Sequence, residues 1–425
     1  MSEKIIRDPV HDVIAFRTER PRDRLLFNLV NAVEFQRLRR IRQLGMASLA
    51  YPGADHSRYN HSLGVMETAR QMLDHLRRFH TIDENEETVC LIAALLHDLG
   101  HGPFSHVFER VSGAHHEDLT RRVVADPESE VHRRLVEFDR ALPDKVVALM
   151  ECRGQRTFFS DVLCSQLDAD RLDYLLRDNL MTGSGYGGYD LRWLLVSLTM
   201  DDAGSRLAVT WKGVSAVEAY LQSRYHMYRN VYLHKVVRAA EGMVKLALQR
   251  GKRLLIQGRL PWPPPETPVH KALSGRRISV AEFTDLDDIS VMACFKQWTA
   301  AADPVLSSLC RGLLFRRLYK TIDLSQRSDS EARAAFAAAQ SAVEDAGGEP
   351  AYDLFYDEPS DTPYEVYRPE EGKQGTEIMV RDAAGGLTEF AKISPVVRAL
   401  NQELMFKRIH VSEQWADPAR RAVTR

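Results

Sequence analysis

Apolar residues recur at every third or fourth position through most of the first half of the chain. Residues 26–44 show this spacing, with apolar side chains at Leu26, Phe27, Val30, Val33, Leu38 and Ile41. The same spacing returns at 62–80, 88–99, 141–152, 160–178 and 213–249. Such a repeat lines one face of an α-helix, and most of these stretches are too long for strands. The pattern therefore predicts a mainly α fold with a helical core.

A proline-rich stretch at 258–268 is the clearest boundary in the chain. Proline breaks a helix interior, so no helix is expected to cross it. Beyond it, helical spacing is seen at 281–299, 303–318, 329–346 and 395–403. Segments rich in aromatic and β-branched residues predict strands at 207–211, 352–356, 364–367, 376–381 and 404–411. We therefore expect a core at 1–257, a linker at 258–268 and a smaller C-terminal α+β lobe at 269–425.

Charge and cysteine content limit the classes of function. The chain has 425 residues, a formal net charge of -2 and five scattered cysteines without a Cys-x-x-Cys pair. So small a charge argues against nonspecific nucleic-acid binding, although it leaves room for a local basic pocket. The cysteine pattern favours neither a disulfide scaffold nor a thiolate zinc site, and it fits a reducing compartment. With neither a signal-peptide core nor a long apolar run, we expect a cytoplasmic protein without a membrane partner.

Two imidazoles and two carboxylates lie on or at the ends of three predicted helices. They are His61, His97, Asp98 and Asp170. Imidazole and carboxylate together suit a divalent ion such as Mn, Fe, Co, Ni or Zn, and they leave positions open for water and phosphate. The spacing of these residues therefore predicts a metal ion held between helices.

A His-Asp pair at a helix end is by itself usually a cap or a surface turn. Here the pair follows the apolar run Cys90–Leu96, and two further histidines, His101 and His106, come within nine residues of His97. So many titratable groups at a buried helix end are costly to desolvate unless a metal or a ligand compensates. The setting therefore favours a functional site over a cap.

Several segments resemble the deoxynucleoside triphosphate triphosphohydrolases of the HD superfamily. The matching segments are Phe35–Gly45, Tyr51–Val65, Ala94–His106, His116–Glu117 and Leu167–Asp178. The resemblance is strongest over 34–180 and implies an HD-domain helical core with its motif region at about 48–180. The most similar members carry a sterile-alpha-motif domain before the HD domain, and we do not expect that domain in this chain.

The resemblance implies a role for each matching residue. Four look like ligands of one divalent ion (Mn, Fe, Mg, Co, Ni or Zn): His61, His97, Asp98 and Asp170. A second Mg²⁺ with the substrate phosphates is left open. The acid–base network beside the metal would comprise His101, Glu109 and His116, with His106 facing the α-phosphate. Glu109 stands where the family usually has Asp.

The implied substrate is a deoxynucleoside triphosphate. Its phosphates would contact Arg58, Arg171 and Arg224, of which Arg171 replaces a lysine of the relatives. The sugar 3′-hydroxyl would contact Gln43 and Asp178, and the sugar and base would lie near Leu44, Tyr174 and Tyr232. Six other histidines are interpreted as structural or surface residues: His11, His75, His80, His132, His226 and His270. The implied reaction is attack of water at the α-phosphorus, which releases a nucleoside and triphosphate.

The relatives are activated by nucleotides bound between subunits and assemble into tetramers. Arg39, Arg316 and Lys320 match basic residues that contact effector phosphates there, whereas Asn31 replaces an aspartate that reads guanine. Losing that carboxylate removes an acceptor pair matched to guanine. We therefore expect a homo-oligomer, either dimer or tetramer, with an altered dependence on a nucleotide effector.

Two other functions remain open from the sequence. Another HD-superfamily enzyme, a nucleoside monophosphate phosphatase or a phosphodiesterase of cyclic or oligomeric nucleotides, would use the same metal site. A nucleotide sensor or nucleic-acid-binding protein would keep the fold but would not need the acid–base groups. Product analysis separates the enzymes, and a shift assay with single-stranded DNA identifies the binding protein.

Overall fold

The computed structural model describes residues 3–152, 157–362, 364, 377–400 and 403–424, without the side chain of residue 106. Helices dominate, so the mainly α fold class is confirmed. The first thirteen helices are α1 (Pro21–Val30), α2 (Val33–Arg37), α3 (Arg58–Leu76), α4 (Glu84–Leu96), α5 (His106–Ser112), α6 (His116–Ala125), α7 (Glu130–Phe138), α8 (Leu142–Met150), α9 (Phe158–Cys164), α10 (Ala169–Thr182), α11 (Leu191–Val196), α12 (Val214–Met227) and α13 (Lys235–Ile256). The others are α14 (Pro268–Leu273), α15 (Val280–Thr284), α16 (Asp288–Trp298), α17 (Pro304–Leu314), α18 (Asp329–Asp345), α19 (Pro350–Asp353), α20 (Phe390–Ile393), α21 (Pro395–Leu400) and α22 (Ala416–Thr424).

Within the described residues, short strands form four small sheets. The strands are β1 (Glu3–Asp8), β2 (Asp12–Arg17), β3 (Leu198–Met200), β4 (Leu207–Thr210), β5 (Lys320–Asp323), β6 (Leu354–Asp357), β7 (Ser360–Asp361), β8 (Met379–Arg381), β9 (Leu387–Glu389), β10 (Leu404–Met405) and β11 (Arg408–Val411). The sheet orders are β1-β2, β10-β7, β5-β11-β6 and β3-β4-β8-β9. Only the β4–β8 pairing is parallel among the described strands, with Val209 opposite Val380. The predicted strand at 364–367 lies outside the described residues except for Tyr364.

Strands β1 and β2 form an antiparallel hairpin that the apolar spacing does not predict. Its register places Glu3 opposite Arg17 and Asp8 opposite Asp12. Oδ1 of Asp8 accepts hydrogen bonds from the backbone N–H groups of Val10 and His11, at 2.9 and 3.0 Å, and so closes the turn. The alternation in Val13-Ile14-Ala15-Phe16, of which Ile14 and Phe16 are fully buried, is the signal that could have found it.

Three long periodic segments are each divided in the structure. Residues 26–44 contain the end of α1, then α2 and a 3₁₀ turn. Residues 160–178 divide where Asp168 caps α10 by accepting from Arg171 N, and 213–249 divide at a π-turn, Tyr228–Tyr232, before His234 caps α13. Side-chain caps satisfy N–H groups that a new helix leaves free, so they start helices inside an otherwise periodic run.

The largest apolar core extends across the predicted linker. It contains Leu260 of the proline-rich stretch together with Leu273, Trp298 and Phe390 from beyond it and the helices that precede it. The linker is also tied down directly, because Trp298 Nε1 donates to the Trp262 carbonyl at 2.8 Å. A second, smaller core lies between α18, α22 and the β5-β11-β6 sheet and includes Leu324, Ala339, Ile409 and Val423. The division into domains at 258–268 stays a prediction.

The structure pairs Cys152 with Cys164 in a disulfide. A single bond of this kind is not a disulfide scaffold, and the cysteine spacing in the sequence does not predict it. Cys90, Cys294 and Cys310 are free and buried. Among the described residues, no helix combines the length and the apolar character needed to cross a bilayer.

An ion pair joins the second core to α13. Asp357 on β6 accepts from Arg238 Nη2 at 2.6 Å and lies 3.6 Å from His410 Nε2. Burial would raise the pKa of Asp357, but His410 and Arg238 hold it well below its usual range. Replacing Asp357 with asparagine leaves a largely buried guanidinium without this partner, so we expect a loss of about 3 kcal/mol in the free energy of unfolding at pH 7.

The loss of stability in Asp357→Asn should become smaller as the pH falls. Because the pKa of Asp357 is lower in the folded protein, its stabilising effect is present above the unfolded value of about 4 and disappears as pH falls through the folded value. Thermal or urea unfolding of wild type and Asp357→Asn at pH 7 and at low pH measures this. A difference in stability that grows on acidification would contradict the assignment.

Candidate functional site

The site forms where α3, α4 and α10 meet. Helix α3 packs against both α4 and α10. His61 lies in the first turn of α3, and Asp170 lies in the first turn of α10. Helix α4 is buried from Glu87 to Leu96 and apolar on every side from Val89 onward. Its carboxyl end therefore lies inside the protein and places His97 and Asp98 there. Two helix starts and one helix end thus bring four side chains together.

The four predicted metal ligands lie close to one another. His61 Nε2 is 2.9 Å from Asp170 Oδ1 and 3.9 Å from Asp98 Oδ2. His97 Nε2 is 3.8 Å from Asp170 Oδ1 and 3.4 Å from Asp98 Oδ1. Ligand atoms of His61, His97 and Asp170 all lie within 4.8 Å of one another. The spacing of the sequence therefore brings the predicted ligands to one point.

The arrangement fits a divalent cation. His97 Nε2 is buried and has no hydrogen-bond partner among the described residues, and its Nδ1 lies 2.8 Å from the Ala94 carbonyl. With the proton on Nδ1, the lone pair of Nε2 faces the cluster. Two imidazoles with one or two carboxylates are a donor set for transition metals of this class. HD domains bind divalent metal, and His61, His97 and Asp170 are the residues that would hold it here.

The carboxylates of the cluster favour a positive charge between them. Burial opposes a charge on His61, but hydrogen bonds to Asp170 and Asp173 raise its pKa to about 10. Without metal, His61 is therefore protonated at neutral pH and occupies the carboxylates. A cation must displace that proton, so metal binding is expected to release protons.

A second group of titratable residues lies next to the cluster. His101 Nε2 is 3.1 Å from Asp98 Oδ1, and the His101 ring stacks on His116 with centroids 4.0 Å apart. Glu109 Oε1 is 2.9 Å from His116 Nδ1. Burial and the Arg58 guanidinium hold the pKa of His101 well below its usual range. Burial also opposes a charge on His116, but Glu109 outweighs it and raises the pKa of His116.

Arg58 is held beside the cluster by hydrogen bonds to Asp98 and to Ser105, which lies in a turn with an uncommon backbone conformation. Its Nη1 donates to Asp98 Oδ2 at 2.6 Å, and its Nε and Nη2 donate to Ser105 Oγ at 3.1 and 2.8 Å. Phe104 and Ser105 adopt positive φ angles of 52° and 53°. Non-glycine residues rarely adopt this conformation, and it is concentrated at functional sites. The strained turn brings the Ser105 hydroxyl onto Arg58.

A cavity of about 730 Å³ opens onto the cluster. Its lining includes twelve of the predicted site residues: Gln43, Leu44, Arg58, His61, His97, Asp98, His101, His116, Asp170, Tyr174, Asp178 and Tyr232. A cavity of this size accommodates a small organic ligand such as a nucleotide. The predicted metal ligands, the acid–base residues His101 and His116 and the predicted sugar and base residues therefore border one space.

A hydrogen-bonded group fixes Asp178 in the cavity wall. His56 Nε2 is 2.7 Å from Asp178 Oδ1, and the Tyr232 hydroxyl donates to Asp178 Oδ2 at 2.8 Å. The His56 carbonyl accepts from Gln43 N at 3.0 Å. Gln43 Oε1 and His56 Nδ1 are buried without hydrogen-bond partners among the described side chains. The group thus presents a held carboxylate and an unsatisfied amide oxygen.

Other predicted residues lie outside the cavity lining. Arg171 is bound to Asp168 and to the Ser165 carbonyl, and Arg224 Nη2 lies 3.2 Å from Asp361 Oδ1. Glu109 does not line the cavity, but its Oε1 lies 2.9 Å from His116 Nδ1 and 3.7 Å from His101 Nδ1. The side chain of His106 lies outside the described residues. The roles of Arg171 and Arg224 as phosphate contacts stay predictions.

The predicted effector residues lie on the surface, away from the cavity lining. Asn31 Nδ2 donates to the Phe27 carbonyl, and Arg39 stacks on Tyr59 with its guanidinium 3.6 Å from the ring centroid. Arg316 donates to the Leu49 carbonyl, and Lys320 pairs with Glu413 at 2.9 Å. Their role in effector binding stays a prediction.

Residues with no predicted role also contribute to the site. Asp173, His56 and Ser105 each contact one of the predicted residues directly. His11, interpreted from the sequence as structural or surface, contacts Asp173. Asp173 could have been found, since it lies one helical turn from Asp170 in the same segment. The position of His11 depends on a distant part of the chain, so no local signal reveals it.

Comparison with known proteins agrees with this geometry. Residues 58–140 match the HD domain, and residues 189–255 match the HD associated region. The uncharacterized protein YwfO of Bacillus subtilis is 36% identical over 94% of this chain and 89% of its own length. The deoxynucleoside triphosphate triphosphohydrolase SAMHD1 of Danio rerio is 27% identical over 75% of this chain, and the match spans 55% of the zebrafish protein.

Two solved structures share the whole architecture. The crystal structure of a phosphohydrolase from Bacteroides thetaiotaomicron superposes with a TM-score of 0.81 at 28% identity, covering 96% of this chain and 100% of that one. A hypothetical protein from Aquifex aeolicus superposes with a TM-score of 0.77 at 25% identity, over 99% and 100%. The chain therefore belongs to the HD-domain family of phosphohydrolases, with an HD associated region following its HD domain.

Proposed function

We propose that this protein hydrolyses deoxynucleoside triphosphates to a deoxynucleoside and inorganic triphosphate. The observation that carries the proposal is that the cation cluster and a held carboxylate, Asp178, line the same cavity. Tyr174 lies between them, with its ring 6.4 Å from the His61 ring and 6.2 Å from the Tyr232 ring. A sugar hydroxyl at Asp178 would leave the 5′-phosphates on the side of the cluster. Asp178 and Gln43 together offer acceptors for a 3′-hydroxyl.

The relatives support the same substrate class. The SAMHD1 proteins of Danio rerio and of Gallus gallus, and a SAMHD1 homolog of Dictyostelium discoideum, are named deoxynucleoside triphosphate triphosphohydrolases. This chain spans about half the length of each of them, so their activity enters here as support for the proposal. We propose that the protein also forms a homo-oligomer, either a dimer or a tetramer.

The proposed reaction needs three contributions from the site. Water forms a bond to the α-phosphorus, the bond from that phosphorus to O5′ breaks, and a proton must reach O5′. A divalent cation bound by the cluster supplies Lewis-acid activation of water and of a phosphoryl oxygen. Arg58 supplies fixed positive charge beside the reacting phosphate. His101, whose pKa is lowered, and His116, whose pKa is raised, can accept and donate protons.

Product analysis tests the proposal. Each dNTP and NTP is incubated with the metal-loaded protein in H₂¹⁸O. The products are separated by chromatography, and their masses are measured by mass spectrometry. We expect deoxynucleoside and triphosphate, with the label in triphosphate, and little turnover of ribonucleotides. Release of pyrophosphate or of phosphate alone would contradict the proposal, and so would turnover of only monophosphates or cyclic nucleotides. Binding of dNTP or of single-stranded DNA without turnover would instead indicate a sensor.

Parallel reactions with added dGTP test the altered effector dependence.

Glu109→Gln is expected to shift the pH dependence of turnover. Glu109 raises the pKa of His116, and a proton-donating His116 is lost as pH rises through that pKa. Without the carboxylate the pKa falls, so the alkaline limb of the kcat profile should move to lower pH. Metal bound at His61, His97 and Asp170 should stay, because Glu109 is not in that group; Glu109 clusters instead with His101 and His116.

The matched control is Asp118→Asn, which removes an exposed carboxylate in the first turn of α6, close to His116. Asp118 pairs with Arg121 at 3.2 Å, and its removal should leave the pH profile in place. An unchanged alkaline limb in Glu109→Gln would contradict the proposed role of His116.

A further inference from the structure

The turn of the N-terminal hairpin is inserted against α10, directly behind the cation cluster. His11 Nε2 lies 2.9 Å from Asp173 Oδ1. The Asp8 carboxylate accepts from Arg177 Nη1 at 2.7 Å and from Nη2 at 3.1 Å. These side chains are almost completely buried, with exposed fractions of 2% for His11, 3% for Asp8 and 0% for Asp173 and Arg177. A two-stranded hairpin therefore contributes a carboxylate and an imidazole to the interior of the helical core.

The same two α10 residues hold a predicted metal ligand. Asp173 Oδ2 lies 2.9 Å from His61 Nδ1, and it also accepts from Arg177 Nε at 2.8 Å. Arg177 Nη2 donates to Asp173 Oδ1 at 2.9 Å. Asp173 thus accepts the Nδ1 proton of His61 and keeps Nε2 directed at the cluster. Carboxylates in this position fix the tautomer and the ring orientation of a metal-binding histidine.

Gly64 makes room for this arrangement. It lies on α3 one turn after His61, and a Cβ built there would overlap Asp173 Oδ1 and Arg177 Nη2. Glycine inside a helix costs about 1 kcal/mol relative to alanine, so the helix by itself favours a side chain here. The absence of a side chain lets the Asp173–Arg177 pair lie against α3 beside His61.

We propose that the buried chain from Asp8 through Arg177 and Asp173 to His61 sets the affinity of the cation site, so that the N-terminal hairpin is a positioning part of the metal centre. The inference rests on the metal centre and not on the choice of nucleotide. It gives Asp8, His11 and Gly64 a role that a purely structural ion-pair network would not have. Such a network would change stability but not the affinity for metal.

The test is a metal titration of the full chain. Metal is first removed from the protein with a chelator. The metal-free protein is then titrated with Mn²⁺ in the absence of nucleotide, and binding is measured by calorimetry and by electron paramagnetic resonance. Asp8→Asn replaces one carboxylate oxygen facing Arg177 by an amide nitrogen and keeps the shape of the turn. Gly64→Ala displaces Asp173. We expect each to weaken Mn²⁺ binding by about 10–100-fold, the usual effect of losing such an outer contact.

Two controls separate positioning from stability. Asp12→Asn removes an exposed carboxylate from the same turn at φ 58°, which asparagine tolerates, and should leave the Kd for Mn²⁺ unchanged. Gly251→Ala on α13 crowds Trp298 in the core and should lower the Tm of the metal-free protein without changing the Kd. The proposal is overturned if Asp8→Asn and Gly64→Ala lower Tm but bind Mn²⁺ as wild type does. Should Gly64→Ala not fold, Asp8→Asn decides.

Discussion

Replacing His97 with alanine is expected to empty the metal centre and to lower turnover by about 10³-fold or more, because a metal ion contributes several kcal/mol to such a transition state. The fold should persist. The His97 side chain is 23% exposed, and its hydrogen bond goes to the Ala94 carbonyl of its own helix end. Metal analysis and steady-state kinetics of the same preparation measure both effects. The double replacement with Asp98→Ala should lose metal and turnover as well.

The matched control is His132→Ala. His132 Nδ1 lies 2.9 Å from the Val124 carbonyl, a contact like that of His97, but His132 does not line the cavity. It should keep its metal and its activity. Wild-type turnover in the His97 variant would show that the cluster is not the reacting centre. Wild-type metal content in that variant would show that the ion is bound elsewhere.

Replacing Arg58 with alanine is expected to lower turnover by about 10²–10³-fold while the metal is retained, unlike the His97 replacement, which loses both. Arg58 is not a ligand. It donates to Asp98 and to Ser105, and removing it frees Asp98 Oδ2 for the cation. Its positive charge lies in the cavity wall, where a phosphate would lie. The loss should therefore fall on kcat, with metal content near that of the wild type.

Arg58→Lys separates charge from geometry. Lysine keeps the charge but cannot donate to two partners in a plane, so it should recover only part of the activity. Loss of metal in Arg58→Ala would contradict a role in phosphate binding, because it would make Arg58 a support of Asp98 alone.

The helical core and the cation cluster follow from local signals in the sequence. The apolar run from Cys90 to Leu96 predicts a buried helix, and a buried helix places whatever follows it inside the protein. His97 and Asp98 follow at once, so their burial can be inferred from the sequence alone. The interruptions at Asp168 and His234 are less visible, since a capping residue inside a periodic run changes the chain direction without changing the spacing.

The outer contacts of the site could not be predicted in the same way. Asp8 and Arg177 are 169 positions apart, and His56 and Asp178 are 122 positions apart. Neither pair follows from periodicity, because each depends on how whole elements pack. The Arg224–Asp361 pair shows the same limit, since the resemblance assigns Arg224 to phosphate while the fold supplies a carboxylate beside it.

Anomalous scattering from a crystal grown with Mn²⁺ and a non-hydrolysable dATP analogue tests most directly whether the cluster and the cavity form one hydrolytic site. We expect one Mn²⁺ peak at about 2.0–2.3 Å from His61, His97, Asp98 and Asp170. The α-phosphate should lie beside it and the 3′-hydroxyl on Asp178. A peak at other residues, or a nucleotide bound outside this cavity, would contradict the proposed site.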